Sequence, residues 1–167
     1  MNMKRSNGNG LCEMIERDFP EEGSSIFVEL PAGAEIKFLR PDDVVGSSCR
    51  SCDFLLDYNK KTVLIEVKNL VKVSEDNLDG LIKKAICQMR CSLFLTGFKD
   101  IFYLFLGYLG ELDRPDYKEL VQEIFSRAVQ LDKNFCNIKA FCVYDEKELQ
   151  NRLRNLFGIE EIKITIK

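Results

Sequence analysis

Apolar and polar positions repeat along this chain with two periods, and the switches between them mark its elements. Residues 1–10 (MNMKRSNGNG) are polar and read as a loose tail. Leu11, Ile15 and Phe19 recur at i, i+4 and i+8, which predicts a short helix over 11–19, stopped by Pro20 and Gly23. Ile26 to Leu30 and Glu35 to Leu39 read as strands separated by Pro31-Ala32-Gly33, and Arg40 to Ser51 is turn-rich. Asp53 to Tyr58 and Thr62 to Lys68 are strand-like runs joined by Asn59-Lys60-Lys61, the pattern of a hairpin. Ser74 to Asp79 carries helix-start chemistry. Leu78, Leu81, Ile82, Ala85, Ile86, Met89 and Leu93 then follow a helical period. Ile101 to Leu106 is a near-continuous apolar run, suited to a strand buried on both faces. Pro115 opens a helix near Asp116 to Leu131, Ile138 to Tyr144 is a strand, and Glu146 to Phe157 is a helix stopped by Gly158. Ile159 to Ile166 closes the chain as a strand. The sum is an α/β domain with a mixed sheet flanked by helices.

The hairpin has a consequence for chemistry. A turn centred between Asn59 and Lys60 sets Asp53 opposite Glu66, and such cross-strand Cβ atoms lie about 4.5–5.5 Å apart. Alternation puts Asp53, Leu55, Glu66 and Lys68 on one face and Phe54, Leu56, Val63, Ile65 and Val67 on the other. The apolar face is expected to pack a core. Two carboxylates this close repel unless a positive charge intervenes. A divalent cation neutralises both, and all-oxygen ligands suit Mg²⁺ or Mn²⁺. A lysine beside such a cation can orient a water and stabilise developing phosphate charge. These parts describe metal-assisted hydrolysis of a phosphodiester.

Composition narrows the alternatives. There is no histidine among the 167 residues, which excludes histidine-base nucleophilic catalysis and histidine-ligated zinc. Residues 1–10 have no apolar core of a signal peptide, and seven cysteines is an odd count. A reduced, cytoplasmic protein is the expectation. The longest apolar stretches, 92–96 and 101–108, fall far short of a bilayer span. Net charge is -3, yet residues 60–99 hold eight basic against four acidic side chains, a local +4 that can face phosphates.

Asp53, twelve intervening residues and then Glu66-Val67-Lys68 resemble the D-x(n)-(D/E)-x-K signature of the PD-(D/E)xK nuclease superfamily. The resemblance implies a restriction-endonuclease-like core, ordered α-β-β-β-α-β. The core is expected over about 11–109, with a C-terminal α/β extension over about 110–167, both in a single domain 11–167. It implies Mg²⁺ or Mn²⁺ held by Asp53, Glu66 and the backbone carbonyl of Val67, with Lys68 next to the attacking water. Asp42 in Pro41-Asp42 competes with Asp53, but it sits in a polar turn. Asp57 shares the Asp53 face and opposes Thr62 near the hairpin turn. Many members add an acidic residue from the first helix. Glu13 and Glu16 compete for that role, and Glu16 lies nearer the apolar face of the expected helix.

RecB-type members of the superfamily carry Q-x-x-x-Y in the helix after the signature. Here Gln88 is followed by Ser92, and Arg50 replaces the glycine three before the aspartate, two departures from that subgroup. Gln88, Lys72 and Lys84 are candidate substrate contacts. Cys49-Arg50-Ser51-Cys52 and the pair Cys87 and Cys91 could together bind zinc or an iron–sulfur cluster, but the spacing is not that of the cluster-bearing nucleases. Free cysteine is commonly a small buried hydrophobe. The resemblance implies a metal-dependent nuclease, an endonuclease on DNA acting as a homodimer. The alternative is a catalytically degenerate nuclease fold serving as a nucleic-acid-binding or protein-assembly module.

Overall fold

The structure is a computed structural model, and it describes residues 11–14, 26–31, 36–39, 51–96, 100–109, 114–133 and 138–166. The chain divides into two compact units, Lys37–Asp145 and Met1–Ile36 with Glu146–Lys167.

The larger unit is built on a five-stranded mixed sheet. Its strands are β3 (Lys37–Leu39), β4 (Phe54–Tyr58), β5 (Lys61–Asn69), β6 (Asp100–Tyr108) and β7 (Lys139–Val143), in that spatial order. β3 and β4 are antiparallel, as are β4 and β5, while β5, β6 and β7 run parallel. The parallel steps need crossovers, which are α1 (Glu75–Cys91) and α2 (Pro115–Leu131). Both helices pack on one face. Leu78, Ile82, Ala85, Ile86 and Met89 of α1 and Tyr117, Val121, Ile124 and Phe125 of α2 form one core with Leu55, Leu64, Tyr103 and Phe105. The opposite face, with Phe54, Leu56, Val63, Ile65, Leu104, Leu106 and Val143, is equally buried. This explains the unbroken apolar run of β6, the middle strand of the parallel set.

The β4–β5 hairpin has the expected register, from Phe54 opposite Ile65 to Tyr58 opposite Lys61. Its two turn residues, Asn59 and Lys60, both have positive φ, 47° and 65°. This is the two-residue type I′ geometry whose twist matches the flanking strands.

The smaller unit holds a three-stranded antiparallel sheet. β1 (Leu11–Met14) pairs with β2 (Ile26–Glu29), and β2 pairs with β8 (Lys163–Ile166). α3 (Glu146–Phe157) lies in the same unit and buries Leu149, Leu153 and Phe157. Gly158 ends it with φ 70°, donating to the Arg154 carbonyl at 2.7 Å, the left-handed stop expected of a C-terminal glycine.

Two expectations are corrected. The segment from Leu11 opens as a strand, not a helix: Leu11 to Met14 take their ladder partners from Glu29 to Ile26. A nine-residue helix is marginal alone, and three apolar positions do not separate the two periods against a strand waiting to pair. Hence no opening helix precedes the sheet among the described residues, and Glu13 lies on β1. Second, the last strand begins at Lys163 rather than Ile159, because 159–162 form the turn out of α3. β2 is also a member of the smaller sheet, so the three strands leading into α1 are β3, β4 and β5.

Candidate functional site

Asp53 stands one residue before β4, where the hairpin ladder ends. Its Oδ2 accepts the backbone N–H of Val67 at 2.8 Å, taking the place a backbone carbonyl would hold one step further along the ladder. That bond fixes the carboxylate beside β5. Glu66 precedes Val67, is fully buried, and lies opposite Phe105 in the parallel ladder. Its Oε1 accepts from Lys68 Nζ, two residues on and on the same face. The Lys68 side chain is 21% exposed, whereas that of Glu66 is fully buried. The sequence arithmetic therefore brings Asp53, Glu66 and Lys68 together. The Glu66 face packs a core as the opposite face does, because α1 and α2 cover it through Leu55, Leu64, Tyr103 and Phe105.

Burial has an electrostatic price for Glu66. Desolvation, and then the nearby Asp53 charge, push its carboxyl up to about 8, and Lys68 offsets only part of this. Among the described residues, Glu66 Oε2 has no hydrogen-bond partner. A buried acceptor left in that state costs about 1–3 kcal/mol. Two adjoining carboxylates, one with an unused inward oxygen and a raised pKa, are short of positive charge. A hard divalent cation fits this set: it prefers oxygen ligands and supplies the missing charge. Asp53 and Glu66 could hold it. Among the described residues no group of three cysteine or carboxylate side chains stands close enough to share an ion, so a cation here would need backbone oxygen or water as well.

The other singled-out residues fall in several places. Gln88 is half-buried on α1, and its Nε2 donates to the Ser51 carbonyl at 3.2 Å, while its buried Oε1 has no hydrogen-bond partner among the described residues. Lys72 and Lys84 are exposed, Lys72 before α1 and Lys84 on its outer side next to Lys83, which pairs with Asp79 at 2.6 Å. Asp57 Oδ1 accepts from Thr62 Oγ1 at 3.4 Å beside the turn, as its register implied. Glu16, Asp42, Cys49 and Arg50 lie outside the described residues.

Ser92 carries a role that the sequence did not disclose. Its Oγ accepts the Cys52 backbone N–H at 2.8 Å and donates to the Gln88 carbonyl at 3.1 Å. Its only signal was position, four residues after Gln88, where it registered as an absent tyrosine. Cys52 is buried, and burial pushes its thiol up to about 12; the Ser92 hydrogen bond pulls down, and the Glu66 and Asp53 charges push up. Cys52 is thus a protonated, poorly nucleophilic packing residue. Cys87 and Cys91 lie one helical turn apart on α1, and Arg90 Nη2 donates to Cys87 Sγ at 3.5 Å.

No family model matches the chain, and neither the curated proteins nor the solved structures gave a match.

Proposed function

We propose that this protein is a divalent-cation-dependent nuclease of the PD-(D/E)xK type, acting as an endonuclease on DNA and as a homodimer. The observation that carries the reading is the buried Glu66 with its unpartnered Oε2, set beside Asp53 and bonded to Lys68. Two features support it. The strand order β3, β4, β5, then α1, then β6 is similar to the β-β-β-α-β part of the core that the superfamily shares. The D…E-x-K triplet also falls where that core would carry its chemistry, at the open end of the hairpin.

In this reading Asp53 and Glu66 would hold Mg²⁺ or Mn²⁺, with the Val67 carbonyl offered as a third protein oxygen. The cation, when bound, polarises the phosphate and acidifies a water. Asp53 keeps its orientation through the N–H of Val67, the residue next to Glu66 on β5. Glu66 must ionise to ligate, and the cation supplies the charge that makes ionisation favourable in a dry site. Lys68 is then free to exchange its bond to Glu66 for the nucleophile or a phosphate oxygen, where its ammonium stabilises developing negative charge.

The test is cleavage of supercoiled plasmid and of branched DNA with Mg²⁺ or Mn²⁺, comparing wild type with Lys68→Ala. Metal-dependent cutting by the wild type and a loss of at least about 100-fold in the variant are expected, the scale of removing one charge-stabilising group. Equal cutting by both proteins would rule out Lys68 as the assisting group. No cutting of any substrate, with DNA binding retained, would leave a degenerate nuclease fold serving as a binding module.

A further inference from the structure

Two buried side-chain oxygens lack hydrogen-bond partners among the described residues: Glu66 Oε2 and Gln88 Oε1. Both are acceptors, and one short stretch of chain links them. Gln88 Nε2 holds the Ser51 carbonyl at 3.2 Å. Ser92, four residues further on and just past the end of α1, holds the Cys52 N–H at 2.8 Å. The next residue is Asp53, whose carboxylate is bonded to β5 beside Glu66. The C-terminal end of α1 and the residue that follows it therefore grip the peptide groups directly before one carboxylate from two points, and the Ser92 bond to the Gln88 carbonyl ties the two points together.

We propose that Gln88 is a positioning residue of the Asp53–Glu66 site, bracing the Ser51–Asp53 segment through Nε2 and offering Oε1 to a hydrogen-bond donor that arrives with a hydrated divalent cation. The proposal rests on the reading of Asp53 and Glu66 as cation ligands. Its chemistry is that of an outer partner. A neutral amide gives no net charge to the cation, but it can fix a ligand through one end and receive a hydration-shell proton at the other. Mg²⁺ and Mn²⁺ keep several waters in sites with few protein ligands, so such donors come with the ion. Outer partners of this kind typically change cation affinity by ~10–100-fold. The role differs from a simple phosphate contact, because one amide N–H is already given to the Ser51 carbonyl.

Titration calorimetry of the full chain with MnCl₂, without nucleic acid, tests this, with cation-free thermal unfolding of each variant alongside. Gln88→Met keeps length and apolar bulk while removing both polar ends, and should weaken Mn²⁺ binding by ~10–100-fold. Gln88→Glu restores an acceptor oxygen and should bind Mn²⁺ more tightly than Gln88→Met. Mn²⁺ affinity unchanged in Gln88→Met overturns the proposal and leaves the carboxylate reading intact. If Gln88→Glu binds no more tightly than Gln88→Met, the acceptor role of Oε1 is overturned. A wild type that does not bind Mn²⁺, or an Asp53→Asn variant that binds it equally well, removes the carboxylate reading and this inference with it. Should Gln88→Met melt far below the wild type, the comparison of Gln88→Glu with the wild type carries the test: a carboxylate cannot donate to the Ser51 carbonyl, so weaker Mn²⁺ binding than the wild type is expected, and unchanged binding overturns the brace.

Discussion

A carboxyl group shut away from water either stays protonated or finds positive charge, and Glu66 gives that choice a measurable form. Its folded value, pushed up to about 8 against an ordinary 4.5, means that the native state holds this proton more tightly than the unfolded chain. The associated stability is complete below about pH 4.5 and is lost as pH rises to about 8. In cation-free buffer, urea unfolding from pH 4 to 9 should show Glu66→Gln flattening that part of the wild-type profile. Profiles of identical slope would mean that Glu66 is not strained by burial. Proton and cation compete for the same oxygens, so Mn²⁺ binding should strengthen as pH rises toward 8 in the wild type. Lys68 cannot cancel the effect, because burial and the Asp53 charge together outweigh one ammonium.

At the level of elements, the hairpin was readable because its signals agree. Alternating runs, a polar Asn59-Lys60 turn and a two-residue loop leave one register, and that register alone places Asp53 against Glu66. Lys60 adopts a left-handed conformation that a side chain disfavours, so Lys60→Gly should stabilise the protein by about 0.5–1 kcal/mol and raise Tm by a few degrees. An unchanged or lower Tm would contradict the type I′ turn. Phe105 is fully buried on the Glu66 face and stacks on Phe125 with centroids 5.5 Å apart. Phe105→Ala should cost about 3–5 kcal/mol in chemical denaturation. The first segment was misread because Leu11, Ile15 and Phe19 satisfy a helical period, whereas pairing with β2 is a long-range fact that no local pattern contains. The brace from Gln88 and Ser92 to Ser51 and Cys52 was hidden for a similar reason. It spans about forty residues of sequence and uses backbone groups that every residue possesses.

For the whole molecule, charge distribution carries more information than net charge. A chain of net charge -3 binds phosphate only through a local excess, and the +4 between residues 60 and 99 includes the exposed Lys72 and Lys84. Fluorescence anisotropy with duplex DNA, without divalent cation, should show affinity falling with salt. Lys72→Ala or Lys84→Ala should each reduce the log–log salt slope by roughly 1. Slopes unchanged by both substitutions would remove those lysines from the phosphate-binding face. The lack of histidine is consistent with chemistry run by carboxylates, a lysine and a hard cation. The most direct measurement is anomalous diffraction from a crystal of the protein soaked in MnCl₂. A manganese peak shared by the Asp53 and Glu66 carboxylates, and lost in Glu66→Gln, is the predicted result. The contrary result is a well-ordered pair of carboxylates with no manganese between them in the wild type.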